Sequence, residues 1–168
     1  NDLGRERAAR VPDLRLYPTV EEALTLGTDR LSVDGVLLIG EQGKYPINTI
    51  GQTLYPRYEF FRRIVQVFER SGRSVPVFND KHLSTSWNEA KWMFDKSREL
   101  NFPLSGGSSI PVYFRKPEIE IAIDTPIKHS IVLGGASDEG GIFHCIDVLQ
   151  AFVERRKGGE TGVKSVQS

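Results

Sequence analysis

The feature that most constrains the fold is a pair of short, continuously apolar runs separated by one helical pattern. The runs are Val36–Ile39 and Val75–Asn79. Runs of this length that contain β-branched residues are typical of strands buried on both faces of a parallel sheet. The residues between them begin a helix at Pro56, place one apolar stripe on it and end it at Gly72. We therefore predict two central parallel strands with the Pro56–Ser71 helix as their crossover.

Further elements extend this alternation of strands and helices. Thr19 and Glu22 have the spacing of a capping box at the start of one helix, and Ser86 and Glu89 have it at the start of another. A third short strand is predicted over Phe102–Ser105. The fold class is therefore α/β, a partial Rossmann-type parallel sheet with flanking helices. The predicted buried side of the later helix carries Ala90, Met93, Phe94 and Ser97.

A second α+β region is predicted to begin after Pro111. Apolar alternation over Ile119–Ile123 predicts a strand with one buried face. A later helix has an apolar stripe. We divide the chain into a nucleotide-binding-type domain, residues 1–111, and the start of a substrate or oligomerisation region, residues 112–168. The stripe of the later helix consists of Ile142, Cys145, Ile146, Leu149, Phe152 and Val153.

Composition narrows the classes of partner. Lysine and arginine together number 22, as do aspartate and glutamate, so no net field attracts nucleic acid or an anionic membrane. No apolar run reaches the roughly 18 residues of a transmembrane helix. The single cysteine, Cys145, cannot form an internal disulfide. We expect a cytoplasmic protein with a small-molecule substrate and no nucleic-acid or membrane partner. A homo-oligomer is compatible with the sequence.

The loops that follow the two apolar runs are the predicted ligand site, because open parallel sheets bind ligands beyond the carboxyl ends of their strands. The first loop, Glu41–Tyr55, is long for a compact domain, and such loops are usually functional or mobile. Both loops are also compatible with ordinary solvated turns. We place cofactor contacts at Gly40, Glu41 and Asp80. We place substrate contacts at Tyr45, Asn48, Tyr55 and His82.

Three segments of the chain resemble, in the same order, motifs of the glucose-fructose oxidoreductase and inositol dehydrogenase family (Gfo/Idh/MocA). The family's "y-x-s-x-e-e-l" segment resembles Leu14–Leu24, its "v-D-a-v-x-i" strand resembles Val33–Ile39, and its "E-K-P-l-a" turn resembles Val75–Ser84. Asp80-Lys81-His82 takes the place of the last motif, with His82 where the family has proline. The resemblance implies a catalytic or substrate-orienting role for Lys81 near a nicotinamide cofactor.

A fourth segment, from Gly134 to Asp147, resembles the same family's "G-G-x-x-x-D-x-x-x-H-x-x-D" motif. His144 and Asp147 fit its closing "H-x-x-D", whereas Gly140 holds the place of its first aspartate. Oxidation of an alcohol requires removal of the hydroxyl proton, which a histidine can accept near neutral pH while a carboxylate orients its ring. We predict that Lys81 and His144 face a common cleft, with Asp147 close enough to orient the histidine. An incidental pair on a solvated helix face would explain the same spacing.

The glycine fingerprint of a dinucleotide-binding turn, G-x-G-x-x-G, does not occur before Val36. We expect the first βαβ half, with the turn that holds NAD or NADP, to lie outside this sequence. The function hypothesis is an NAD(P)-dependent oxidoreductase acting on a sugar, polyol or similar hydroxylated molecule. The alternative is a non-catalytic Rossmann-like binding or assembly module. The three histidines match no recognised ligand spacing, so we expect no metal site.

Overall fold

A computed structural model of the chain describes residues 2–40, 43–134 and 139–167. These residues divide into two compact units, one up to Gly106 and one from Gly107 onward. None of the helices that they form is long and apolar enough to cross a membrane. The elements in chain order are α1 (Asp2–Ala8), α2 (Val20–Thr25), β1 (Val36–Leu38), α3 (Arg57–Ser71), β2 (Val77–Asp80), α4 (Trp87–Glu99), β3 (Leu104–Gly107), a 3₁₀ helix (Ile110–Val112) and α5 (Glu139–Val153).

The three strands form one small open sheet in the order β1-β2-β3. β1 and β2 are parallel, with Val36 opposite Val77 and Leu38 opposite Asn79. The predicted parallel pair with α3 as its connection is therefore confirmed, and the fold class is α/β.

The prediction that both strands are central and covered on both faces is wrong for β1. In the described sheet β1 is an edge strand. Leu38 is buried under the α3 side of the sheet, but Leu37 is 73% exposed and the following Ile39 is 64% exposed. A continuously apolar run indicates a strand, but it does not show that a second layer covers it.

The hydrophobic core lies in the first unit, between the sheet, α3 and α4. The predicted stripe of α3 is confirmed, because its four side chains are almost completely buried. Phe68 packs edge-on against Phe102 with ring centroids 5.2 Å apart. Each such buried apolar side chain contributes about 1.5–3 kcal/mol relative to an exposed one. The four residues of the stripe are Phe61, Ile64, Val65 and Phe68.

Helix α2 begins as its capping-box spacing predicts. The backbone N–H of Glu22 donates to Thr19 Oγ1 at 3.1 Å. Arg63 on α3 then binds Glu21 through two hydrogen bonds, from Nε to Oε1 at 2.7 Å and from Nη2 to Oε2 at 2.5 Å. Such a bidentate pair is geometrically specific, so it fixes α2 against α3.

Helix α4 departs from its prediction in its cap and in its buried face. Ser86 is the N-cap but makes no side-chain capping bond. The hydroxyl of Ser84 donates instead to Glu89 Oε2 at 2.5 Å and accepts the Ser86 N–H at 3.1 Å. Phe94, predicted to be buried, is 55% exposed. Trp92 takes the position against the core, with its ring 6.3 Å from that of Phe61.

The second unit contains α5 but no strand over Ile119–Ile123 among its described residues, so that prediction is wrong. The backbone oxygens of this segment bind arginine side chains rather than a neighbouring strand: Arg115 donates to Ile119 O at 2.9 Å, and Arg155 donates to Ile121 O. The predicted stripe of α5 is also wrong in part, because Ile142 and Ile146 are exposed.

Candidate functional site

A pocket of about 580 Å³ lies among the segments that follow β1 and β2 in the chain. This volume is within the range of about 300–1,000 Å³ that is common for small-molecule sites. Three of the four predicted substrate contacts line it, namely Tyr45, Asn48 and Tyr55. Its polar lining also includes residues that the sequence did not single out as contacts. They are Gln52, Glu59, Ser84, Thr85, Ser86 and Glu89.

The loop that forms one wall of the pocket is a small closed turn. Leu54 N–H donates to Pro46 O, and Ile47 and Thr53 form an antiparallel bridge. Asn48 holds the turn from inside, because its Oδ1 accepts the Gln52 N–H at 2.9 Å and its Nδ2 donates to Gln52 Oε1 at 2.9 Å. The Asn48 side chain therefore shapes the loop, with its amide atoms already hydrogen-bonded within it.

Aromatic rings connect this wall to the turn after β2. Tyr45 and Tyr55 meet edge-on with centroids 5.6 Å apart, and the ring of His82 lies 6.0 Å from that of Tyr55. The guanidinium of Arg57 stacks on Tyr55 at 4.3 Å, and its Nη1 is 3.1 Å from His82 Nε2. Arg57 is only 1% exposed. His82 thus contacts Tyr55 and Arg57 rather than lining the pocket, and Arg57 is a site residue that sequence reasoning missed.

Lys81 occupies a strained position directly after β2. Its φ of 62° is in the left-handed region, which is costly for a residue with a Cβ and is found preferentially at functional sites. Its Nζ is 3.1 Å from Asp80 Oδ2, and the Lys81 side chain is only 11% exposed. Asn79 holds the turn by donating from Nδ2 to Asp80 O at 3.2 Å and to His82 O at 3.1 Å. The carboxylate of Asp80 is therefore paired with the ammonium group of Lys81, the residue for which the family resemblance implies a catalytic or substrate-orienting role.

Two of the three residues assigned to a cofactor, Gly40 and Asp80, lie in the described part of the chain. Gly40 is buried, and a Cβ on it would lie 3.6 Å from Arg57 Cγ and 3.5 Å from Phe60 Cδ2. Glu41 lies outside the described residues. Asp80 is engaged by Lys81. A pyrophosphate is usually held by the free N–H groups of a helix N-terminus. The helices that begin at this pocket instead bring carboxylates to it.

In the second unit, His144 and Asp147 both bind Ser108. His144 Nδ1 is 2.5 Å from Ser108 Oγ, and Asp147 Oδ2 accepts the Ser108 N–H at 2.9 Å. Ser108 Oγ also accepts the Ile110 N–H at 3.0 Å. The two predicted catalytic residues therefore share a partner, and Asp147 binds the backbone of Ser108. The sequence signal for Ser108 was its place in the hydroxyl-rich Ser105–Ser109 segment.

No family model, curated protein or solved structure matches this chain. Lys81 belongs to the first unit and His144 to the second. Their common cleft stays a prediction.

Proposed function

We propose that the chain is part of an oxidoreductase acting on a sugar, polyol or similar hydroxylated small molecule, which binds in the pocket beside β1 and β2. The observation that supports this most is the composition of the pocket wall, where two tyrosine rings adjoin amide, hydroxyl and carboxylate groups. Hydroxyl groups of a ligand can donate to the carboxylates and accept from the serine and threonine hydroxyls. The rings supply the apolar surface that such a site also needs.

The proposed fold family is Rossmann-type, and the parallel β1–β2 pair with its helical connection supports it. NAD or NADP remains the proposed cofactor, and the described pocket is assigned to the substrate because its charges do not suit a pyrophosphate. Lys81, held by Asp80, is the proposed hydrogen-bond donor to a substrate oxygen. The protein is proposed to work in the cytoplasm, where Cys145 needs no disulfide partner.

Ligand binding is tested by screening a panel of neutral sugars and polyols by saturation-transfer NMR. A ligand of the pocket should lose about tenfold in affinity, or about 1.4 kcal/mol, when Tyr45→Ala removes one aromatic wall. Tyr113→Ala is the matched control, because Tyr113 is an exposed tyrosine of the second unit. Equal losses in the two variants, or no binding of any member of the panel, would remove the pocket from the proposal.

Catalysis is tested with Lys81→Met in the full-length protein, using formation of NADH or NADPH as the readout. Loss of a positioned hydrogen-bond donor to the reacting oxygen typically costs about 10²–10³ in rate. We expect a loss of this size with little change in the free energy of unfolding. Unchanged turnover would exclude a catalytic role for Lys81.

A second candidate is the non-catalytic binding or assembly module, and the surface of the second unit favours it. Several large apolar side chains there are almost fully exposed, including Phe114 at 90%. Exposed apolar surface commonly marks a protein interface where it is contiguous, and Val112 and Phe114 are two positions apart in the chain. A chain that self-associates through this unit, and whose self-association is lost in Phe114→Ser, would support the assembly function. The others in the group are Val112, Ile131 and Leu133.

A further inference from the structure

Two helices begin at the pocket, and each carries a glutamate in its first turn. Pro56, the N-cap of α3, and Ser86, the N-cap of α4, both line the pocket. Glu59 lies in the first turn of α3 and Glu89 in that of α4, and both line the pocket as well. A helix N-terminus carries about half a positive elementary charge and readily binds an anion. Here the two carboxylates compensate the charge that would otherwise attract an anionic ligand.

In the described part of the chain, the lysine and arginine side chains near the pocket do not line it. No lysine or arginine occurs among the lining residues that the structure describes. Arg57 is close in sequence, but it is buried and its guanidinium lies over the ring of Tyr55. Glu89 is held in place by the hydroxyl of Ser84, whereas Glu59 is exposed. Among the described lining residues, the charged groups are therefore the two carboxylates, and the cation of Arg57 lies behind the Tyr55 ring.

We propose that Glu59 and Glu89 determine the specificity of the pocket, admitting neutral or cationic hydroxylated molecules and rejecting phosphate esters and carboxylates. This inference rests on the proposed function, because it concerns the ligand of the same pocket. The carboxylates oppose the attraction of the two helix N-termini for an anion. The attraction of each N-terminus is modest and is screened by salt. Removing both charges should therefore raise the affinity of the pocket for phosphate by about 5- to 20-fold at low ionic strength.

The test is a titration with inorganic phosphate, followed by the NMR shifts of the backbone amides of Thr85, Ser86 and Trp87. The double variant Glu59→Gln with Glu89→Gln is compared with the wild type at constant ionic strength. Glutamine keeps the size of each side chain, and at position 89 it can still accept the Ser84 hydroxyl. We expect saturable shifts in the double variant at phosphate concentrations that barely perturb the wild type.

The control is Glu69→Gln with Glu99→Gln, which removes the same charge from the last turns of the same helices, where both carboxylates bind Lys96. The control should bind phosphate at these amides as weakly as the wild type. Equal phosphate affinity in the wild type and the pocket variant would overturn the inference. An equal gain in the control, or no phosphate-dependent shift in the pocket variant, would also overturn it.

A second arm separates this inference from the proposed function. Glucose and glucose 6-phosphate are titrated against the wild type and the pocket variant. If glucose fails to bind at these amides, the proposed ligand class loses support for this sugar, and the inorganic phosphate comparison still decides the role of Glu59 and Glu89. If both sugars bind the wild type with equal affinity, the pocket binds sugars but the specificity inference is wrong.

Discussion

Asn79 connects the central strand to the turn that presents Lys81. It is completely buried at the end of β2, and its Nδ2 donates to the backbone oxygens of Asp80 and His82. Its Oδ1 has no hydrogen-bond partner among the described residues. An unsatisfied buried acceptor costs about 1–3 kcal/mol, and this cost offsets part of the stabilisation from the two hydrogen bonds that Nδ2 donates. The side chain thereby stabilises a turn in which Lys81 adopts a left-handed backbone conformation.

Asn79→Ala should lower the free energy of unfolding by about 1 kcal/mol, because two part-buried carbonyl groups lose their donor while removal of the unsatisfied Oδ1 offsets part of that loss. Asn79→Asp should be at least as destabilising despite its similar shape, since a carboxylate would face both carbonyls. Urea unfolding followed by tryptophan fluorescence is the measurement. Both tryptophans, Trp87 and Trp92, lie on α4 and report on the first unit. Asn88→Ala on the exposed surface is the control, and equal stability of all three variants would contradict this role.

Helices α3 and α4 differ in how well the spacing of their apolar residues predicts which side chains are buried. The α3 stripe is buried as its spacing predicts, whereas on α4 Met93 is buried and Phe94 is exposed. Trp92, one position before Met93, packs against Phe61 on the buried side of α4. A short helix with apolar residues on adjacent positions is compatible with more than one buried face, and tertiary packing chooses between them.

This assignment predicts unequal effects of truncating two phenylalanines. Phe61→Ala should destabilise the first unit by about 3–5 kcal/mol, because it leaves a cavity in the core. Phe94→Ala should change the free energy of unfolding by about 0.5 kcal/mol or less, as exposed substitutions usually do. The same urea unfolding experiment compares them. A loss in Phe94→Ala as large as that in Phe61→Ala would show that the Phe94 face of α4 is buried after all.

The connection between α2 and α3 should depend on pH. Hydrogen bonds from Arg63 lower the pKa of Glu21 below its usual range. A carboxyl group with a lowered pKa in the folded state stabilises the fold above its unfolded pKa. That contribution is lost as the pH falls through the lower folded pKa. Wild-type stability should therefore fall more steeply than that of Glu21→Gln between mildly and strongly acidic pH.

A double-mutant cycle with Arg63→Gln isolates this interaction. The coupling between positions 21 and 63 should be small but measurable at neutral pH and should disappear in strong acid, because both groups are partly exposed. A coupling that persists unchanged in strong acid would show that packing, rather than charge, connects the two helices.

The predicted site residues differ in how much of their role the sequence could indicate. Tyr45 and Tyr55 follow β1, and the rule that ligands bind beyond the carboxyl ends of parallel strands was sufficient to place them near a pocket. Arg57 and Asn79 were missed because their roles depend on burial, which composition and spacing do not reveal. Ser86 and Glu89 were interpreted only as a helix cap, so Glu89 was not recognised as a pocket residue, whereas Ser84 ends the predicted ligand loop after the second apolar run.

The two units of the chain are stabilised by different kinds of contact. The first unit contains the whole buried core of the described residues. In the second unit, much of the described backbone outside α5 is irregular, and arginine side chains bind its carbonyl groups. Periodicity therefore predicted the first unit well and failed at Ile119–Ile123, where apolar alternation was not matched by a pairing strand. The first unit also carries the pocket on which the functional proposal depends.

The central claim is that the pocket beside the segments following β1 and β2 is the ligand site. Hydrogen–deuterium exchange of the chain with and without a bound neutral sugar or polyol tests it most directly. The predicted result is slower exchange of backbone amides in residues 46–55 and 84–89, with little change elsewhere in the first unit. Slower exchange confined to residues 97–98 and 101–103, which line a separate pocket next to β3, would contradict the claim.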